Sequence, residues 1–166
     1  MSTTTKHEVE IVAPAGLPWI DIVREFDATP DRVFRAHVDP ELFAQWIGPK
    51  DLAFTLGEWD ATTGGRWAYS SGRGDDVFEF YGSFHEIREN ERIVQTFTYA
   101  GSPDEVALEI ARFEALPGGR TRMVNRSIGS SVEGRDAMVA SGMEHGIVEG
   151  YEKLDALLAG TQVPGR

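Results

Sequence analysis

No cysteine occurs anywhere in the 166 residues, which excludes a disulfide framework, thiolate catalysis and cysteine-ligated zinc. Basic side chains are scarce: 16 Lys and Arg stand against 27 Asp and Glu, a net charge of −11. A surface of that sign repels nucleic-acid phosphates and anionic headgroups, whose binding depends on clustered Lys and Arg. Neither nucleic acid nor membrane is an expected partner. No run approaches the roughly 20 apolar residues a spanning helix needs. Met1–Glu10 also lacks the basic region and apolar core of a signal peptide, so a cytoplasmic location is expected.

What is present suits one domain. The 41% apolar content is ordinary for a globular chain, and a chain of this length can bury roughly 70% of its unfolded surface. Residues 1–16 are polar or broken by Pro14 and Gly16 and read as a flexible tail. The domain is expected over 17–160, with 161–166 a second short tail.

Trp19–Phe26 places Ile20, Ile22 and Phe26 on one parity, interrupted by Arg24, and reads as a strand. Thr29-Pro30 and Asp39-Pro40 are two helix starts of the same kind, a capping side chain before a proline at the first helical position. The first helix carries Val33, Phe34, His37 and Val38 on one stripe. The second buries Leu42, Phe43 and Trp46 and is expected to end at Gly48-Pro49.

From Leu52 to Ile128 the pattern is a β-meander. The spacing predicts strands over Leu52–Trp59, Arg66–Ser70, Val77–Ile87, Arg92–Tyr99, Val106–Ala115 and Thr121–Ser127. Gly and Asn in the breaks, such as Gly64-Gly65, Glu89-Asn90 and Gly118-Gly119, supply the positive φ of tight connections. The period then changes. Ser130 and Glu133 form a capping-box pattern, and one continuous helix is expected to Ala159, with Met143, Ile147, Tyr151, Leu154 and Leu158 as its apolar stripe. A sheet with one apolar face and a helix with one apolar stripe bury both by curling the sheet around the helix. The gap between them is a natural pocket. The fold class is therefore α+β, a helix-grip arrangement.

The ordered motifs Arg24-Glu25-Phe26-Asp27-Ala28-Thr29-Pro30, Val33-Phe34-Arg35-Ala36, Asp39-Pro40-Glu41-Leu42, Trp46…Gly48-Pro49, Gly64-Gly65-Arg66-Trp67, Gly82 and Ser141-Gly142-Met143-Glu144 carry a family resemblance over Ile20–Leu158. The chain resembles the START-like SRPBCC superfamily, specifically its activator of heat shock protein 90 ATPase homologue domain. That resemblance implies the helix-grip fold and an apolar cavity. It does not imply chaperone activation. Ile47, where many relatives carry a second tryptophan, and Arg88-Glu89-Asn90, where prolines are common, depart from the pattern at the pocket rim and a turn.

Strand parity assigns an inward set. Trp67 and Tyr69 share a face, as do Ile93, Gln95, Phe97 and Tyr99, and as do Met123 and Asn125. With Trp46, Met143, Ile147 and Tyr151 from the helices, these are the candidate ligand-binding residues. An amide buried without a partner costs about 1–3 kcal/mol, so Gln95 and Asn125 are expected to bond each other, water or a ligand. For the aromatics taken singly, core is the plainer reading. Glu109 is the one candidate acid or base. Its direction is ambiguous, because Leu108 and Ile110 flank it while Ala111 and Phe113 share its parity. A solvated strand carboxylate is the plainer reading; an inward one would have a raised pKa.

The four histidines lie on separate segments without metal-ligand spacing. His145 falls about 200° from Met143 and Ile147, outside the stripe. His37 is expected to pack near Trp46; a place for His85 at a pocket mouth is open, but one histidine without an orienting partner is weak ground for a site. Ser70-Ser71 and Ser130-Ser131 read as turn residues, and no nucleophile elbow is present. No cofactor or metal is expected. The leading functional expectation is non-enzymatic binding of a small hydrophobic or amphipathic molecule. The alternatives are a cyclase, dehydratase or hydrolase using the same cavity, or a co-chaperone-like protein-interaction domain. A homodimer or protein partner is left open.

Overall fold

The computed structural model describes residues 7–47 and 52–160; the expected Gly48-Pro49 helix stop lies outside them. Eight strands form one antiparallel sheet: β1 (Glu10–Val12), β2 (Trp19–Phe26), β3 (Ala53–Trp59), β4 (Arg66–Arg73), β5 (Asp76–Arg88), β6 (Arg92–Tyr99), β7 (Ala107–Leu116) and β8 (Arg120–Ile128). Their order across the sheet is β1-β2-β8-β7-β6-β5-β4-β3. Four helices complete the domain: α1 (Pro30–Val38), α2 (Pro40–Trp46), α3 (Val132–Ala140) and α4 (Met143–Gly160).

The meander β3–β8 is extended by β2, whose eight residues pair in unbroken register with β8, from Trp19 opposite Ile128 to Phe26 opposite Thr121. Along β2 burial alternates, with Ile20, Ile22, Arg24 and Phe26 inside. Arg24 does not interrupt the inward face; it belongs to it. Its guanidinium is buried and makes a two-pronged bond to Asp155 of α4, at 2.9 and 2.7 Å. The β2 face is thus tied to the helix it grips.

Asp39 caps α2 by accepting from the amides of Glu41 and Leu42, whereas Thr29 makes no side-chain cap to α1. Carbonyls at the end of α1 find side-chain donors. The Trp46 indole donates to Ala36 at 2.9 Å and the Trp59 indole to Val38 at 2.8 Å, which satisfies groups that a helix end otherwise leaves to water. Both rings are fixed by these bonds.

Several expectations are corrected. Within the segment read as tail, Glu10–Val12 is an edge strand on β2; it is too short for a periodicity signal. The closing helix is two helices, not one. Ser141 and Gly142 separate them, and Gly142 has φ +88°, a backbone region that glycine enters freely and other residues do not. Finally, Ser131, not Ser130, caps the first of the two, accepting from Gly134 N at 2.9 Å. Ser130 instead donates to Glu105 in the β6–β7 connection, at 2.8 Å.

Strand ends differ from expectation by a few residues; the largest shift extends β4 through Ser70-Ser71 to Arg73. Those serines lie in a strand, not a turn. Positive φ occurs where the connections demanded it, at Gly64, Asn90, Gly118 and Gly119 among others. Among the described residues no helix is long and apolar enough to cross a membrane.

Candidate functional site

The sheet and α4 meet along Phe26, Leu154, Leu158 and Tyr151, where Phe26 and Tyr151 pack edge to face with ring centres 5.4 Å apart. Toward the other end of α4 they diverge, leaving a cavity of about 960 Å³. This is the upper end of the range for small-molecule sites. All eleven residues expected to face inward line it: Trp46, Trp67, Tyr69, Gln95, Phe97, Tyr99, Met123, Asn125, Met143, Ile147 and Tyr151.

The walls divide by chemistry. On β3–β6 they are almost wholly aromatic. Trp67 stacks on Tyr69 at 5.4 Å, and Phe80 sits 5.4 Å from both Tyr69 and Phe97 and 5.5 Å from Tyr99. Phe43 of α2 joins through Trp59 at 4.8 Å. Gly82 makes this wall possible. A Cβ there would lie 2.1 Å from the Thr96 carbonyl oxygen and 2.8 Å from Trp67 Cζ2, so only glycine lets the indole lie against β5.

On β6–β8 a polar strip crosses the cavity surface. Gln95, Glu109 and Ser127 are direct neighbours across three adjacent strands, with Asn125 two residues from Ser127 on the same face. Glu109 points inward, against the plainer reading. Its hydrogen bond is a long one, 3.4 Å from Ser127 Oγ. Desolvation pushes its pKa up to about 7, only partly offset by Ser127. Although its surface is only half-buried, what is accessible faces the cavity. The Tyr69 and Tyr151 hydroxyls are held well above the usual phenol range, first by burial and then by the Glu109 charge. The carboxyl therefore acts on both the aromatic wall and α4. Asn125 Oδ1 is buried without a hydrogen-bond partner, as is Trp67 Nε1, so the expected Gln95–Asn125 pairing does not satisfy the asparagine oxygen.

His37 packs 4.9 Å from Trp46, as its helix position suggested. Burial lowers its pKa to about 4 despite a 2.8 Å hydrogen bond from Nδ1 to the Val33 carbonyl, so it is neutral at ordinary pH. His145 is exposed and pairs with Glu149. His85 is exposed and does not line the cavity. It follows buried Phe84 in β5, at the β5–β6 register shift between Phe84 and Glu86, and strand alternation turns it outward. Among the described residues, no three His, Asp or Glu side chains cluster as metal ligands.

Parity did not identify Trp59, Phe80, Phe54, His37 or Ser127 as part of the lining. Trp59 was hidden by a second bulge, between Leu56 and Trp59, which puts an odd-numbered tryptophan on the face of even-numbered Phe54. Phe80 and Ser127 were legible: the first shares parity with Gly82, the second with Asn125.

A family model described as activator of Hsp90 ATPase homolog 1-like protein matches residues 27–159. Similar solved structures include a protein from Arthrobacter aurescens, 29% identical, with TM-score 0.82, covering 94% of this chain and 93% of that one. One from Rhodobacter sphaeroides is 24% identical with TM-score 0.83, covering 92% and 99%. Another from Mycobacterium smegmatis is 21% identical with TM-score 0.81, covering 91% and 97%. The last two show the fold alone. No curated protein matches the chain.

Proposed function

The chain belongs to the activator of Hsp90 ATPase homolog 1-like family, and on that premise we propose that it binds a small hydrophobic or amphipathic molecule between its sheet and α4. The observation that carries this reading is the 960 Å³ cavity with one aromatic wall and one polar strip. A hydrophobic core that size, if it were merely imperfect packing, would forfeit many contacts, since protein interiors pack like organic crystals. An occupant recovers them. Three tryptophans, Trp46, Trp59 and Trp67, line the space, so intrinsic fluorescence reports occupancy directly. The test is a panel of lipids, polyketides and aromatic metabolites. At least one class should change tryptophan emission and raise the melting temperature with concentration. If no class does either, the reading is wrong.

A second reading is favoured by the inward carboxyl. Glu109, with Ser127 in reach and a pKa near 7, is poised to give or take a proton at neutral pH, the property general acid–base catalysis requires. On this reading the cavity turns its occupant over. Mass spectrometry of bound panel members after incubation tests it: a changed mass or isomer that Glu109→Gln abolishes supports catalysis, and unchanged molecules throughout refute it for that panel.

A further inference from the structure

The cavity's charge complement restricts what can enter it. Among the described residues that line it, Glu109 is the one carboxyl placed on the inner face of the sheet, and Arg135 is the one permanent cation. Arg135 is buried and all three of its nitrogens donate within the fold: Nε and Nη2 to Asp136, and Nη1 to the carbonyls of Pro14 and Trp19. It is therefore committed to fixing α3 against the start of β2. His37 holds its Nδ1 proton on the Val33 carbonyl. Among the described residues lining the cavity, no cation without a partner is thus left to meet an anionic headgroup. A carboxylate or phosphate brought to the polar strip would face Glu109 with nothing to neutralise either group, and such a pair resists ionisation of both.

Donors fare differently. Glu109, Gln95 and Ser127 present acceptor oxygens in a row across three strands, opposite a wall of stacked rings. A flat apolar body can lie on Trp67, Tyr69, Phe80 and Phe97 while a hydroxyl or amine at its edge reaches the row. Either group donates to Glu109, the hydroxyl as a hydrogen bond from an uncharged donor and the amine as an ion pair.

We propose that the occupant is a polycyclic or aromatic molecule carrying a hydrogen-bond donor, hydroxyl or amine, and that the cavity rejects the corresponding carboxylate. This rests on the ligand-binding reading above and specifies its chemistry.

The experiment uses the full chain and four matched fluorescent probes: pyrene, 1-pyrenemethanol, 1-pyrenemethylamine and 1-pyrenecarboxylate. Probe anisotropy is titrated at neutral pH in about 0.5 M salt, where the overall acidic surface is screened. The alcohol or the amine should bind at least about tenfold more tightly than the carboxylate. Glu109→Gln keeps the side chain's size and removes the acid, and should shrink that ratio to within about threefold. Binding by the alcohol alone identifies a hydrogen bond from an uncharged donor; binding by the amine alone identifies an ion pair, and both support the proposal. A carboxylate that binds as tightly as the alcohol and the amine overturns it while leaving the cavity a binding site. So does a preference that survives Glu109→Gln, because it then arises elsewhere. Should the variant fail to unfold cooperatively, the wild-type ratio alone decides. Failure of all four probes to bind counts against the binding reading itself.

Discussion

Glu109 and His37 have opposite consequences for stability, and the signs are separable. A carboxyl raised from 4.5 to about 7 in the folded state binds a proton the unfolded chain has already lost. Its contribution to stability is whole below about pH 4.5 and is lost as pH rises to about 7. A histidine lowered from 6.5 to about 4 behaves in reverse, and its contribution is lost as pH falls from about 6.5 to 4. Between those limits the two slopes nearly cancel, so the wild-type protein should show little pH dependence from this pair. Glu109→Gln uncovers it. The variant should match wild type near pH 4.5 and exceed it above pH 7, by an amount of the order of 1–3 kcal/mol. Denaturant unfolding at both pH values measures this, and an equal effect at the two would contradict a desolvated acid. The direction of this residue was not readable from the sequence for a physical reason. Leu108 points outward and is exposed, while the inward neighbours Ala107 and Ala111 are small and leave the carboxyl room. Hydrophobicity on both parities concealed which face was the core.

At the level of elements, the meander was legible almost strand by strand, because each break carries a glycine or asparagine that the turn requires. The two bulges were not, since a bulge adds one residue without changing composition, and every residue beyond it changes face. The split between α3 and α4 was missed although Gly142 marks it. Glycine inside an amphipathic stripe reads as a tolerated weakness, and only the backbone shows φ +88°. Nothing lies within 4 Å of the position of a Cβ at Gly142, so Gly142→Ala tests conformation without a clash. It should cost about 1 kcal/mol and lower the melting temperature by roughly 2–4 °C. An unchanged or higher melting temperature would mean that α3 and α4 join readily into one helix. The two helices also differ in anchorage. In α3 only Arg135 is buried, whereas α4 buries Gly150, Tyr151, Leu154 and Leu158. Local opening follows buried apolar contacts, so α3 amides should exchange with solvent well before those of Gly150–Leu158. Comparable protection in both helices would show that α3 is held by more than Arg135 and its cap.

The molecule as a whole depends on sheet and α4 staying together, and the Arg24–Asp155 pair is where that dependence can be measured. The two partners are unequally placed: the Arg24 side chain is 2% exposed and that of Asp155 is 31% exposed. The guanidinium also lies 4.9 Å from the Phe26 ring centre and 5.9 Å from that of Tyr151, and its Nε has no hydrogen-bond partner. Removing the carboxylate therefore leaves a charge enclosed between aromatic rings with one remaining acceptor, the Glu25 carbonyl at 3.0 Å. Asp155→Ala should cost about 3–5 kcal/mol, the range for an uncompensated buried ion. Removing the guanidinium instead leaves a carboxylate that water can reach, and a side chain of similar length fills the apolar space. Arg24→Met should cost less than about half as much. The asymmetry is the diagnostic, since a simple loss of one attractive pair would make the two variants equal. If urea unfolding finds them equal, the buried charge carries no penalty of its own, and cohesion between sheet and helix rests on the apolar contacts of Phe26, Tyr151, Leu154 and Leu158.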